Sequence, residues 1–180
     1  MFRLPINESI YLKLLQPQDA ETLVSALKEN QQHIKEWLIW AVNLPSVEVY
    51  EKDIIPSWLQ KFANNNGFEA AIFVNDEIAG MIGLHYIDWN NKTTEMGYWL
   101  SEKFQGKGVM TKTVEKLANY CFDELQLNRI TIRAVDENMK SRAIPIRLGF
   151  VEEGITREAQ LLHGKYRDLV NYSLLRKDRK

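Results

Sequence analysis

The sequence predicts an α/β (α+β) fold in which helices flank a mixed, mostly antiparallel central sheet of about seven strands. Two observations support this prediction. Three apolar runs, 68–74, 78–89 and 93–100, are separated by turn-rich connections short enough for antiparallel hairpins. A helical pattern that begins at Val109 then separates the third run from a fourth at 129–135, and strands joined by such a crossover run parallel.

The N-terminal third supplies one strand and three helices. Residues 9–15 alternate between apolar and polar side chains, as in a short strand. Asp19 is positioned to cap a first helix, and residues 31–40 read as a second, unusually aromatic one. Ser46 caps a third helix, which ends at the asparagine-rich segment 64–67.

The C-terminal part completes the sheet. After the strand at 129–135, residues 139–148 predict a short helix, and 150–161 and 166–175 predict two last strands. The sequence has no internal repeat and no linker-like stretch. We therefore expect a single domain over residues 1–180.

Composition excludes several classes of protein. The 180 residues carry 23 Lys and Arg against 24 Asp and Glu, and no basic run exceeds the tail 176–180, which argues against a general nucleic-acid or membrane-surface binder. Segment 1–5 has no signal-peptide core, so we expect a cytoplasmic protein. The single cysteine, Cys121, lies on an apolar helix face and reads as a packed thiol. The three histidines have no spacing typical of a metal site.

A glycine-rich segment, 104–111, joins the strand that ends at Leu100 to the helix that begins at Val109. The first N–H groups of a helix have no intrahelical partner, and the helix dipole places partial positive charge there. Gly106 and Gly108 lack Cβ atoms, which lets the backbone approach a ligand closely. A phosphate group is therefore the natural ligand of this turn.

Three phosphate motifs compete for this segment. A P-loop requires Ser or Thr directly after its lysine, but Gly108 follows Lys107. A dinucleotide fingerprint, G-x-G-x-x-G, begins at Gly106 and Gly108 but meets Thr111 at its third glycine. The third motif, Q/R-x-x-G-x-G/A, has Gln105, Gly108 and Met110 at its fixed positions, with Met110 in place of the usual small residue.

With this third motif the sequence resembles the GNAT superfamily of acyl-CoA-dependent N-acyltransferases, in which the loop binds pyrophosphate. Segments 105–111 and 33–40 are most similar to the branch that acetylates the N-termini of ribosomal proteins. The resemblance covers essentially the whole chain. It implies a GNAT-type sheet in which the strand before the loop and the strand after its helix splay apart to admit the pantetheine arm.

Glu95 is the leading candidate for the catalytic base. Transfer of an acyl group from a thioester to an amine requires an unprotonated amine, and an α-amino group with a pKa of about 8 is mostly protonated at neutral pH. Glu95 lies in a strand among apolar residues, where desolvation is expected to raise its pKa. By resemblance, an acidic residue at this position lies near the acyl group. The alternative is a structural cross-strand partner for a Lys, an Arg or a hydroxyl group.

Asn138 and Ser141 are the candidates at the start of the helix 139–148. Asn138 is suited to capping that helix, and the resemblance implies that it also bonds the pantetheine. Many GNAT enzymes have a tyrosine later in this helix that protonates the departing thiolate, but Pro145 stands there. Ser141 is therefore the candidate for that task, although a serine in a first helical turn also satisfies local backbone groups.

The remaining contacts to acetyl-CoA are expected from backbone groups. A backbone N–H around 99–101 would polarise the acyl carbonyl, as in an oxyanion hole. The predicted acetyl-CoA contacts are Trp99, Leu100, Gln105, Gly106, Lys107, Gly108, Val109, Met110, Asn138 and Ser141.

The acceptor side has four candidate residues. Trp37 and Trp40 lie at i and i+3 of the predicted aromatic helix, so they would share one helix face. That face would either line the acceptor site or pack in the core. His163 and Tyr166 lie in the last hairpin, which commonly borders the acceptor cleft of GNAT enzymes.

The sequence thus predicts an acetyl-CoA-dependent N-acetyltransferase that needs no metal and works by direct attack of the amine in a ternary complex. The resemblance favours the N-terminal amine of a ribosomal protein as acceptor and implies a homodimer. The balanced charge predicts no direct nucleic-acid or membrane partner. The alternatives are acetylation of a small amine, such as a polyamine, an amino acid or an antibiotic, and a non-catalytic acyl-CoA-binding sensor.

Overall fold

The computed structural model describes residues 3–179. Met1 and Phe2, the first residues of segment 1–5, and Lys180, the last residue of the tail 176–180, lie outside the described residues. Within residues 3–179, no helix is both long enough and apolar enough to cross a membrane.

An open sheet of eight strands has the order β1-β2-β3-β4-β5-β6-β8-β7. Every neighbouring pair is antiparallel except β5 and β6, which run parallel as the crossover through the glycine-loop helix requires. The strands are β1 Arg3–Pro5, β2 Ile10–Lys13, β3 Phe68–Val74, β4 Glu77–Asp88, β5 Thr93–Leu100, β6 Arg129–Val135, β7 Val151–Leu162 and β8 Lys165–Leu175.

Helices pack on both faces of this sheet. The longer ones are α1 Ala20–Ile34, α4 Val109–Asp123 and α5 Met139–Arg147, and one further helical stretch is built from α2 Val47–Val49, a π-helical turn Tyr50–Ile54 and α3 Ile55–Ala63. Short 3-10 turns are Pro17–Asp19, Ile39–Val42, Glu102–Phe104 and Arg176–Asp178. The Ser46 hydroxyl accepts from the Val49 N–H at 3.3 Å, so the predicted cap of the third helix is present.

The structure differs from the predictions in three places. The Asp19 side chain makes no capping hydrogen bond to α1 and instead accepts from the Gln16 N–H at 2.8 Å and from Nζ of Lys13 at 2.9 Å. The strand Arg3–Pro5 was not predicted, because three residues are too few to show alternation. The predicted helix 31–40 is wrong: α1 continues to Ile34 and then ends, and the backbone is extended at Leu38. This turn lets Trp37 pack against the cluster of Val135, Leu162 and Leu169 instead of sharing a helix face with Trp40.

The parallel pair separates along its length. β5 and β6 are paired only at Thr93–Arg129, Thr94–Ile130 and Glu95–Thr131. Beyond these positions β5 stays paired with β4 and β6 stays paired with β8. A gap therefore opens between the carboxyl ends of β5 and β6, as the resemblance implied.

The two faces of β5 belong to different halves of the core. Met96 lies in the cluster that contains the buried side of α4, whereas Trp99 lies in the cluster that contains the buried side of α1. Since side chains alternate along a strand, Glu95 and Gly97 share the α1 face with Trp99. The candidate site therefore starts on the α1 face of β5 and extends through the gap between β5 and β6.

Candidate active site

A cavity of about 1650 Å³ occupies the gap between β5 and β6 and the α1 face of the sheet. Its walls are the glycine loop with the start of α4, the start of α5, the end of α1 with the segment after it, and the turn from Tyr50 to Trp58. Of the predicted acetyl-CoA contacts, all except Lys107 line this cavity, and so do Glu95, Trp37 and Trp40. The Lys107 ammonium lies 5.8 Å from the centroid of the Phe104 ring instead.

The glycine loop has the geometry of an anion site. Gly106 and Gly108 both have φ of +72°, in the left-handed region that favours glycine, and Gly108 is the N-cap of the 15-residue helix α4. A Cβ added at either glycine would meet no protein atom within 4 Å, so the space above the loop is open to a ligand. Met110 is buried in the core beneath, which explains how its bulk is accommodated.

The Gln105 side chain joins three elements around this loop. Its Nε2 donates to Nε2 of His33 at 2.7 Å, and its Oε1 accepts from Nζ of Lys140 at 3.0 Å. His33 lies in the last turn of α1 and Lys140 in the first turn of α5. The side-chain amide of Gln105 thus links the glycine loop to α1 and to α5.

The start of α5 is fixed by the predicted cap and by a tyrosine that the sequence analysis did not single out. The Asn138 side chain accepts from the Ser141 N–H at 3.1 Å. The Tyr98 hydroxyl donates to the Ser141 carbonyl oxygen at 3.1 Å, and burial raises the pKa of Tyr98. Tyr98 therefore stays a neutral donor that holds α5 against β5. The alternation of side chains along β5 was the sequence signal that could have identified Tyr98 as a residue beside the gap.

Of the backbone N–H groups expected around 99–101, that of Leu100 faces the gap. The Ser101 N–H donates to the Ala79 carbonyl oxygen at 2.8 Å, so it is engaged with the β4 side. Successive residues of an antiparallel strand point their N–H groups to opposite edges, so Trp99 shares the orientation of Ser101. The N–H groups of Tyr98 and Leu100 point away from β4 and into the gap.

Glu95 is held by an arginine and a histidine. Its Oε2 lies 2.9 Å from Nε of Arg133, and its Oε1 lies 3.0 Å from Nη2 of Arg133 and 3.1 Å from Nδ1 of His85. Burial acts to raise the pKa of Glu95, but the hydrogen bonds from His85 and Arg133 outweigh it, and the pKa lies below its usual value. The predicted raised pKa is wrong, and the alternative of a cross-strand arginine partner is present.

His85 is the residue that the sequence analysis missed in this cluster. The pairing of β4 with β5 shifts register between Leu84 and Ile87, and such a bulge re-aims the side chains within it. The ring of His85 lies against Gly97, where a Cβ would come within 2.4 Å of Nε2. No motif marks such a bulge, so the sequence offered no signal beyond a polar pair, His85 and Tyr86, inside an apolar strand.

The predicted acceptor residues separate into two groups. Trp37 and Trp40 line the cavity together with Tyr50, Ile54 and Trp58, which follow one another at four-residue intervals in the third predicted helix. His163 and Tyr166 do not line it. Nε2 of His163 donates to the Lys35 carbonyl oxygen at 2.8 Å, which fastens the tip of the β7–β8 hairpin to the end of α1, and Tyr166 is 65% exposed.

The carboxylates of the cavity wall are few and paired. Glu69 and Glu95 are the acidic residues that line it in the described part of the chain. Glu69 lies 3.1 Å from Nζ of Lys61, and Glu95 is engaged by Arg133 and His85. Among residues 3–179, no group of three or more His, Cys, Asp or Glu side chains is arranged to hold a metal ion.

Comparisons with known proteins agree with this geometry. The profile of a family described as an acetyltransferase (GNAT) domain matches residues 9–151. YdaF of Bacillus subtilis, which is provisionally named a ribosomal N-acetyltransferase, is 44% identical over 178 residues, covering 99% of this chain and 97% of the relative. The ribosomal-protein-serine acetyltransferase of Escherichia coli is 27% identical over 170 residues, covering 93% of each chain.

A solved structure of a relative contains coenzyme A. It is RimL, a ribosomal L7/L12 alpha-N-protein acetyltransferase, in complex with coenzyme A that is disulfide-linked to a cysteine of that protein. Its TM-score with this chain is 0.92 at 25% sequence identity, covering 97% of this chain and 98% of the other.

Proposed function

The chain belongs to the GNAT acetyltransferase family, and we propose that the amine it acetylates is the N-terminal amino group of a protein, with a ribosomal protein as the favoured acceptor. The observation that carries this proposal is the character of the acceptor wall, which is aromatic and has its carboxylates ion-paired. The relatives named for acetylation of ribosomal proteins support it.

The paired carboxylates argue against a polyamine acceptor. A polyamine carries several ammonium groups, and burying the distant ones requires unpaired carboxylates. Glu69 and Glu95 are already engaged by Lys61 and Arg133. A protein N-terminus carries one ammonium group followed by a neutral main chain, which suits a wall built from aromatic side chains such as Trp37.

The donor groups of the cavity fit acetyl-CoA. The unpaired N–H groups at the start of α4 suit a diphosphate, and those of Tyr98 and Leu100 suit amide and acyl carbonyl groups. The Asn138 amide and the Ser141 hydroxyl lie where α5 borders the gap. When bound, acetyl-CoA supplies an acetyl group activated as a thioester.

Different residues of the chain then have different roles in the acetyl transfer. Leu100 donates its N–H to the developing oxyanion, and Ser141 donates a hydrogen bond to the departing sulfur. Glu95, with its lowered pKa, is ionised at neutral pH and acts by orienting its partners. Cys121 is fully buried and burial raises its pKa, so the transfer is direct and involves no acyl-cysteine.

A comparison of kcat/KM between peptides and polyamines tests the proposed acceptor. The panel contains peptides with a free N-terminus, the same peptides with a blocked N-terminus and an internal lysine, and spermidine. We expect the free N-terminal peptides to exceed both other classes by more than tenfold. Preference for spermidine, or equal rates with blocked peptides, would contradict the proposal.

The homodimer stays a prediction from the resemblance, and the cytoplasmic location stays a prediction from the sequence. Sedimentation at working concentrations tests the former, and a monomer there would contradict it.

A further inference from the structure

We infer that His85 is a catalytic residue that accepts the proton of the attacking ammonium group, and that Glu95 is the positioning residue that orients its ring. This inference rests on acetyl transfer to an amine in the cavity described above, but it does not depend on which amine is accepted.

The hydrogen bond to Glu95 selects the tautomer of His85. An ionised carboxylate has only acceptor oxygens, so Nδ1 of His85, 3.1 Å from Oε1 of Glu95, carries the ring proton. Within residues 3–179, Nε2 of His85 makes no hydrogen bond. Its lone pair is therefore free in the neutral ring, which is the state that a general base requires.

The backbone of β5 places this free nitrogen beside the proposed acyl site. The Nε2 atom lies where a side chain of residue 97 would stand, because Gly97 has none. His85 lines the same cavity as Tyr98 and Leu100, whose N–H groups point into the gap. A base at Nε2 requires an amine nitrogen about 3 Å from Nε2 and about 3 Å from the acyl carbon.

The charged groups that face His85 come from three strands and one helix. From β5, Glu95 faces Nδ1, and from β6, Arg133 engages the same carboxylate and keeps it ionised. From β3, Glu69 lies over Gly83, two residues before His85, and is paired with Lys61 of α3. The ring, half exposed to the cavity, is thus the one member of this cluster able to exchange a proton with an incoming group.

The step balances in atoms and charge. Nε2 of His85 takes one proton from the ammonium group, which frees the nitrogen lone pair to form the C–N bond. As the C–S bond breaks, the sulfur leaves with its electron pair and takes a second proton from the nitrogen. The third proton stays on the amide, and His85 releases its proton to solvent.

Substitution of His85 tests the inference on the full-length enzyme. His85→Asn keeps a donor towards Glu95 but has no atom equivalent to Nε2. We expect kcat to fall by about 100- to 10,000-fold, with the affinity for acetyl-CoA in calorimetry within about twofold of the parent protein. The acid limb of the pH–rate profile is expected to disappear, and added imidazole is expected to restore part of the rate of His85→Ala.

Tyr86→Phe is the matched control, because Tyr86 lies in the same bulge and does not line the cavity. It is expected to leave the rate unchanged. If His85→Asn kept the parent rate and acid limb, or lost acetyl-CoA affinity in proportion to rate, the inference would be overturned.

The failure of this inference can be told apart from that of the proposed acceptor. The rates are measured on whichever amine of the panel the parent protein accepts, so a preference for spermidine overturns only the acceptor. Long-range 1H–15N correlation spectra give a second readout without any acceptor. They are expected to show the Nδ1–H tautomer for neutral His85, and an Nε2–H tautomer would overturn the role assigned to Nε2.

Discussion

Gly97→Ala moves the His85 ring without altering a titratable group. The added Cβ would lie 2.4 Å from Nε2 and 2.7 Å from Cε1 of His85, whereas ordinary carbon contacts begin at about 3.5 Å. The ring must retreat by about 1 Å, which stretches the 3.1 Å bond to Glu95 beyond hydrogen-bond range. A misplacement of about 1 Å typically lowers rates about 100-fold, so we expect kcat to fall by that factor.

Stability separates this effect from unfolding. The side chain of His85 is 49% exposed and is free to swing towards solvent, so we expect the free energy of unfolding to change by about 1 kcal/mol or less. Gly80→Ala is the contrasting control. Its Cβ would lie 2.2 Å from the Trp99 carbonyl oxygen, a backbone atom that cannot swing aside, so we expect a loss of more than about 2 kcal/mol.

The assay combines release of the coenzyme A thiol with a denaturant titration. A Gly97→Ala protein that is folded and has the parent kcat and pH profile would refute the argument that His85 acts from this position.

Three further predictions concern the loop, the carboxylate and the cysteine. Gly108→Trp is expected to weaken acetyl-CoA binding more than tenfold in calorimetry because the indole fills the anion site. Gly149→Trp, at a glycine with a similar φ of +79°, is expected to leave the affinity unchanged. Equal affinities of the two variants would contradict the assignment of the loop as the phosphate site. Glu95→Gln is expected to lower stability above about pH 4.3, the ordinary glutamate pKa, because hydrogen bonds from His85 and Arg133 stabilise the ionised carboxylate more than burial destabilises it. The pKa of Glu95 is lower in the folded protein than in the unfolded chain, so the stability difference between the parent protein and Glu95→Gln should shrink as the pH falls through the folded pKa. A stability difference that does not change with pH in denaturant titrations would contradict this prediction. Cys121→Ala is expected to keep the parent kcat while costing about 1–2 kcal/mol of stability, and a loss of turnover in the folded protein would instead indicate an acyl-cysteine.

The sequence was most informative where the signal is local. Strands 68–74 and 93–100 were predicted with the bounds that the structure has, because apolar runs between turn residues are read within a few positions. The glycine loop was found for the same reason. The helix 31–40 failed because its aromatic residues follow long-range packing: Trp37 packs against Val135 of β6 rather than continuing the period of α1.

The cluster around Glu95 could not be predicted from the sequence. Glu95 and Arg133 are 38 residues apart and meet through the parallel register of β5 and β6. His85 reaches the same carboxylate because of a bulge that no residue pattern marks. A raised pKa was the reasonable expectation for a buried acid, and it was reversed by partners that only the fold brings near.

The acceptor is tested most directly by the masses of ribosomal proteins incubated with the enzyme and acetyl-CoA. We expect one protein to gain the mass of a single acetyl group, with fragment spectra that place the group on the N-terminal amine and no gain when acetyl-CoA is omitted. Acetyl groups confined to lysine side chains, or no mass gain on any ribosomal protein while spermidine is acetylated readily, would contradict the account.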